Sequence, residues 1–285
     1  MWTEIDQRIS QAIAQTFHTT DRRSVSGGCI NQGYRLTNGA RNFFVKVNRA
    51  SQIAMFEAEA LGLQEIGATQ TIVIPRPICW GVASEAYLVL EWLELGRGGS
   101  QAWEEMGRQL ANLHRVQKAS AFGWQRDNTI GATPQPNPWT SDWTEFFTQH
   151  RIGYQLELAK QRGGHFPLGD RLLAKIPQLL ADHTPVPSLV HGDLWSGNAA
   201  ILQSGEPVIF DPAPYWGDRE VDIAMTELFG GFPAEFYRGY DRAFPLDSGY
   251  KRRKTLYNLY HILNHFNLFG GSYESQANRM MQSLL

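Results

Sequence analysis

His191-Gly-Asp-Leu-Trp-Ser-Gly-Asn198, followed by Val208-Ile-Phe-Asp211, is the stretch on which the reading of this chain turns. Asp193 and Asn198 lie five residues apart on what reads as a loop, and Asp211 closes a short apolar run with strand character. Phosphoryl transfer needs a carboxylate beside the attacking hydroxyl, and oxygen ligands for a Mg²⁺ ion that neutralises phosphate charge. Asp193, Asn198 and Asp211 supply that set. A lone Asp or Asn in a loop is ordinary turn chemistry; the joint pattern H-x-D-x₄-N with a second Asp after a strand is not.

Working outward, Lys46 interrupts the apolar run Phe43-Phe-Val-Lys-Val47. A lysine there either snorkels from an edge or meets a fixed anion. Upstream, the stretch from Ser24 to Arg35 contains Gly27, Gly28 and Gly33. Its backbone amides could cover phosphates, although Gly-rich turns are common. Downstream, Glu57 and Glu59 offer a partner that could hold Lys46 towards phosphates, or else both face solvent.

Composition bounds the rest. At 285 residues the chain is one large or two closely packed domains. With 26 Lys+Arg against 28 Asp+Glu, it lacks the basic excess of a general nucleic-acid binder. Cys29 and Cys79 are too few and too far apart for a disulfide scaffold or a Cys-based zinc site. The N-terminus is polar, and no apolar run approaches the roughly 20 residues of a membrane span, so a cytoplasmic protein without membrane or nucleic-acid partners is expected. Aromatic residues reach 12%, and many lie in polar, Gly- or Pro-rich sequence rather than in apolar runs.

Periodicity orders the elements. Ile5, Ile9 and Ile13, with Phe17 next in the row, predict an N-terminal helix. Strand-like sequence follows over 24–35 and 42–48, with Asn38-Gly39 as the hairpin turn. A helix from Ser51, its expected cap, to about Ile66 leads to two more strands ending at Trp92. Gly96-Arg-Gly-Gly99 is a flexible connection. Beyond it the chain reads as mostly helical: 101–117, about 140–162, 168–181, and 217 onward, with a Pro-rich loop at 133–138 and short strands over 188–211. The expected fold is α+β and bilobal, with a small strand-rich lobe over 1–94 and a larger helical lobe over 95–285.

These residues in this order resemble the protein-kinase-like fold in its small-molecule branch of aminoglycoside and choline kinases, where H-G-D replaces H-R-D. Ser26-Gly-Gly-Cys-Ile-Asn-Gln32, Phe43-Phe-Val-Lys-Val-Asn48, His191 to Asn198, and Asp211-Pro-Ala-Pro-Tyr-Trp-Gly-Asp-Arg-Glu-Val-Asp-Ile-Ala-Met225 together resemble the fructosamine kinase family over nearly the whole chain. The resemblance implies ATP-dependent phosphorylation of the 3-hydroxyl of a ketosamine, whose 3-phosphate then breaks down and frees the amine. The acceptor would be a small fructosamine or ribulosamine, or a glycated protein lysine, with the enzyme a monomer or homodimer.

Carried over, Asp193 would be the catalytic base, Asn198 and Asp211 would hold Mg²⁺, and Lys46 would contact the ATP phosphates under the loop of Gly27 and Gly28. Glu59 becomes the Lys46 partner, because Glu59-Ala-x-x-Leu63 resembles the related kinases. The backbone of Glu91, Trp92 and Leu93 would bind adenine. Trp195, Tyr215 and Trp216 flank the catalytic positions and are expected as a substrate wall. His191 and His114 are expected to be structural. Asp218 is expected to cap the helix near Arg219, and Asp222 to orient the catalytic loop. Cys29 in the phosphate loop is either inert or a redox-sensitive thiol able to join two chains. Two rivals are another acceptor on the same fold and a non-catalytic nucleotide-binding protein; the latter would normally lack one of Lys46, Asp193, Asn198 and Asp211.

Overall fold

Asn38-Gly39 turns the chain as its sequence predicts. The Asn38 side-chain oxygen accepts the N–H groups of Ala40 and Arg41 at 3.1 and 2.8 Å, and Gly39 takes a φ of +87°. In the computed structural model, which describes residues 1–25 and 30–285, this turn joins β2 and β3 of a five-stranded antiparallel sheet. The first half of the chain runs α1 (Trp2–Ala12), β1 (Asp21–Val25), β2 (Gln32–Thr37), β3 (Asn42–Asn48), α2 (Ile53–Gly67), β4 (Pro77–Val82) and β5 (Ala86–Glu91). The sheet order is β1-β2-β3-β5-β4, so the stretch expected as one strand over 24–35 contributes to two.

Strand alternation decides what faces where. Phe43, Val45 and Val47 of β3 pack with Ile5 and Ile9 of α1. Lys46 therefore points to the opposite face, the side covered by α2. There Met55, Phe56, Ala60 and Leu63 pack on Ala86, Leu88 and Leu90 of β5.

Two helix boundaries differ from the sequence reading. α1 stops at Ala12, and Ala14 adopts a φ of +52°. Phe17 still reaches the core, because the Ser10 hydroxyl accepts its N–H at 2.9 Å and pins the returning loop. Ser51 lies inside a 3₁₀ turn (Ala50–Gln52) ahead of α2, and no side chain caps that helix.

The second half contains α3 (Ser100–His114), β6 (Asn128–Ile130), β7 (Thr133–Gln135), α4 (Trp143–Phe147), α5 (Tyr154–Gln161), α6 (Gly169–Leu179), β8 (Ser188–Val190), β9 (Ala199–Ile201), β10 (Pro207–Ile209), β11 (Tyr215–Gly217), α7 (Glu220–Leu228), α8 (Ala234–Ala243), α9 (Tyr250–Phe269) and α10 (Ser272–Leu284). The strands pair locally as β6–β7, β8–β11 and β9–β10. The expected Pro-rich loop at 133–138 instead closes the β6–β7 hairpin, where the Gln135 amide donates to Asn128 Oδ1 at 2.8 Å. The helix expected over 140–162 is interrupted by a π-helical turn at Thr148–Gly153. That turn carries the fully buried Arg151, whose guanidinium lies 4.0 Å from the Tyr215 ring centroid and donates to Pro136 O and Asn137 Oδ1. Widened turns of this kind let a side chain leave the regular helical stagger.

Candidate active site

A cleft of about 430 Å³ opens between the sheet and the helical half. Four chain segments bring charged and amide groups into it. β3 supplies Lys46, α2 supplies Glu59, the loop between β8 and β9 supplies Asp193 and Asn198, and the residue two past β10 is Asp211. Lys46 Nζ lies 2.7 Å from Glu59 Oε1 and 2.6 Å from Asp211 Oδ1. Glu57, the other acid weighed as a Lys46 partner, turns away to Arg126 at 2.9 Å. Burial works against the Lys46 charge, but Asp211 and Glu59 outweigh it and hold the ammonium protonated well above its usual range. Burial raises the Glu59 carboxyl despite Lys46 beside it. Asp193 is pushed up to about 7 by burial and then by the Asp211 charge.

The loop that carries Asp193 is held from behind. Asp222 of α7 accepts the backbone N–H groups of His191 and Gly192 at 2.7 and 2.9 Å. His191 Nδ1 accepts the Asp193 N–H at 3.2 Å, so its Nε2 carries the proton and donates to Phe210 O at 2.9 Å. Burial keeps that imidazole neutral, lowering its proton affinity. Gly192 has a φ of +80°, and a Cβ there would sit 2.1 Å from Ala213 O, so only glycine fits. His114 is buried and satisfied by Tyr240 and Asp222. These contacts place His191, His114 and Asp222 in supporting positions behind the loop.

Asp218 accepts the Glu220 N–H at 3.1 Å at the start of α7, the helix that carries Asp222. It also meets His183 Nε2 at 2.6 Å and the Tyr257 hydroxyl. His183, Asp218 and Glu220 lie close enough together to hold an ion, but Arg253 already pairs with Glu220 and Asp247. The cluster reads as a satisfied ion network. Burial lowers the His183 pKa, but Asp218 and Glu220 outweigh it and raise it overall. A raised His contributes stability that is complete below its unfolded value, near pH 6.5, and lost as pH rises through the folded value. The Tm gap between wild type and His183→Gln is therefore expected to shrink between pH 6.5 and 8.5. A gap that stays constant or widens in a thermal melt series would contradict this.

Asn198 Nδ2 donates to the Asp193 carbonyl at 2.8 Å and to Asp193 Oδ2 at 3.3 Å. Its Oδ1 takes no hydrogen bond among the described residues. Asp211, with a φ of +57°, is the other cleft oxygen donor, its side chain 40% exposed. Among the described residues the site thus sets three carboxylates, Glu59, Asp193 and Asp211, against the ammonium of Lys46. Burial and the Asp211 charge raise two of these carboxylates. Hard oxygen donors with excess negative charge suit a Mg²⁺ ion.

The aromatic expectation divides. Trp195 is 40% exposed and lines the cleft. Tyr215 and Trp216 do not form a substrate wall: both are buried in the main core. Strand β11 pairs with β8 and turns the two rings away from the cleft, Tyr215 onto Arg151 and Trp216 towards Glu65. Glu91 ends β5, and Trp92 and Leu93 follow in the connection between lobes. The Trp92 ring lies under the Arg35 guanidinium, 6.5 Å from the ring of Phe44, which lines the cleft. Gly27, Gly28 and Cys29 lie outside the described residues. Burial pushes the other thiol, Cys79, up to about 12, which leaves it inert.

Sequence reasoning missed the far end of the cleft, where Asn128, Asn264, His265, Phe269 and Tyr273 join Trp195. The available signal was a set of polar residues recurring every three positions among the apolar residues of the second half of α9. His261, Asn264 and Asn267 of α9 are all buried, and Asn264 Oδ1 has no partner among the described residues.

The family profile described as fructosamine kinase matches residues 1–285. A protein of Synechocystis named probable ketoamine kinase is 61% identical over 285 residues, covering 100% of this chain and 97% of its own. The chloroplastic protein-ribulosamine 3-kinase of Arabidopsis thaliana is 44% identical over 92% of this chain and 82% of its own. The crystal structure of a proposed fructosamine-3-kinase from Haemophilus somnus superposes with a TM-score of 0.95 at 31% identity, covering 100% of this chain and 98% of that one. Choline kinase LicA from Streptococcus pneumoniae, at 13% identity and a TM-score of 0.64, shares the fold. With its kinase-like fold, its cleft of Lys46, Glu59, Asp193, Asn198 and Asp211, and a profile match from end to end, this chain belongs to the fructosamine kinase family.

Proposed function

We propose that this protein phosphorylates the 3-hydroxyl of a ketosamine with ATP, which leads to deglycation. The observation that carries the reading is the meeting in one cleft of the Lys46–Asp211–Glu59 cluster and the Asp193–Asn198 loop. In this reading residues 1–94 form the nucleotide lobe and residues 95–285 the acceptor lobe, joined through Glu91, Trp92 and Leu93, whose backbone takes adenine.

Asp193 is the base. Its carboxylate accepts the proton of the attacking sugar hydroxyl, and Asn198 fixes its orientation through Nδ2. Two donors of the Lys46 ammonium are taken by Glu59 and Asp211, and the third remains for a phosphate oxygen. A Mg²⁺ ion, when bound, neutralises phosphate charge, and Asn198 Oδ1 and Asp211 are the residues that would hold it. The acceptor lies towards Trp195, Asn128 and Asn264, where an indole face and side-chain amides suit a hydroxylated, amine-bearing molecule. Positioning and charge stabilisation supply most of the acceleration, because phosphoryl transfer asks for little covalent help.

The test is ATP consumption against matched free and protein-bound fructosamines and ribulosamines, with an aminoglycoside and choline alongside. Saturable turnover with a ketosamine class is expected. Turnover confined to the aminoglycoside or to choline would overturn the assignment of the acceptor.

A further inference from the structure

Helix α2 belongs to two cores at once. Met55, Phe56, Ala60 and Leu63 pack on the sheet, whereas Ala58 and Ile66 join the core of the helical lobe. Residues 58, 62, 65 and 66 fall on one helical stripe, and every one of them meets the helical lobe. At Gly62 a Cβ would sit 2.5 Å from Pro214 Cγ, so the α2 backbone rests directly on the segment that follows Asp211. One turn on, the Glu65 carboxylate accepts two indole N–H groups, from Trp124 at 2.5 Å and from Trp216 at 3.0 Å. Both indoles are buried. Their backbones are joined too: Gly123, the residue before Trp124, and Trp216 exchange backbone hydrogen bonds at 2.9 and 2.8 Å. Trp216 sits on β11, whose partner β8 runs directly into His191 and Asp193.

We infer that Glu65 is a positioning residue, which ties α2 to the helical lobe through Trp124 and Trp216 and so sets Glu59 against Lys46. The inference rests on the proposed phosphate-anchoring role of Lys46. A charged acceptor shared by two buried donors is a stiff, directional joint. Glu59 lies on the same rigid helix, so its approach to Lys46 is fixed from the helical lobe rather than by the sheet alone. The Lys46–Glu59 pair is then assembled without an activating movement of α2. Trp216, expected to touch substrate, acts instead through this joint.

The test is a double-mutant cycle on the full chain, read by calorimetric titration with a non-hydrolysable ATP analogue and Mg²⁺. Glu65→Ala is expected to weaken nucleotide binding on the order of tenfold. In a Glu59→Gln background the same change should cost less than about twofold, because the residue it acts through is already impaired. In steady-state assays the KM for ATP should rise while that for the acceptor stays within about twofold. If Glu65→Ala fails to fold, the cycle is run with Glu65→Gln, whose single amide oxygen keeps one indole bond. Unchanged nucleotide affinity, or full additivity with Glu59→Gln, would overturn the positioning role. Because nucleotide binding is read without an acceptor, a wild type that binds nucleotide but turns over no ketosamine overturns the proposed function and leaves this inference standing.

Discussion

Replacing Asp193 by Asn lowers turnover by at least about 10²-fold while nucleotide affinity is nearly unchanged. Asn keeps the shape and still offers an oxygen to Asn198 Nδ2, which now bonds Asp193 Oδ2 at 3.3 Å. What it removes is the ability to accept a proton. Lys46 pairs with Glu59 and Asp211 rather than with Asp193, so the phosphate anchor is left intact. The pH profile adds a second readout. Burial and the Asp211 charge push the Asp193 carboxyl up to about 7 in the free enzyme. The base must be ionised, so kcat/KM should rise with pH and level off above that value, and cation binding beside Asp211 would move the limb lower. Residual activity of Asp193→Asn should lack this limb. Retained turnover with a ketosamine, or an unchanged limb in the variant, would remove Asp193 from the role of base.

Much of this site is legible in the sequence because phosphoryl transfer constrains residue type and spacing together. Asp193, Asn198 and Asp211 could be singled out because their spacing reflects one loop and one strand end, both local. Lys46 was legible because alternation in β3 makes a lysine among valines conspicuous. The choice of Glu59 over Glu57 needed the family resemblance, since both lie on one helix and only three-dimensional placement separates them. Trp216 shows the limit. Its position between Asp211 and Asp222 suggests the cleft, but β11 pairing rotates the ring to Glu65, a residue 151 positions away in sequence. Asn264 stands out in sequence only as one of several spaced polar residues and Tyr273 not at all, since both reach the cleft through packing of the last two helices. The π turn at Arg151 likewise has no local signature; it follows from the ring cage that Tyr215 and Phe146 build around a buried guanidinium.

Asp211→Asn is expected to separate activity from stability. Asn tolerates the left-handed φ of +57° that Asp211 adopts, so the backbone should hold. The variant loses a charged oxygen donor and the Asp211–Lys46 ion pair, now at 2.6 Å. Turnover should fall by at least about 10²-fold, because electrostatic stabilisation of the transferring phosphoryl group is lost. The Mg²⁺ concentration for half-maximal activity should rise at least about tenfold. Stability should move the other way or not at all. In the metal-free protein Asp211 adds to the charge crowding Asp193 and Glu59, and contributes to raising both of their pKa values. Removing one of three carboxylates relieves that repulsion, while Lys46 keeps Glu59 at 2.7 Å. Thermal melts without Mg²⁺ should therefore place the variant at or above the wild-type Tm, and added Mg²⁺ should raise the wild type more than the variant. A site shaped for a cation is held under electrostatic strain until the cation arrives. A variant that melts well below wild type without Mg²⁺ while keeping its Mg²⁺ requirement unchanged would show that Asp211 serves the fold through Lys46 rather than the cation.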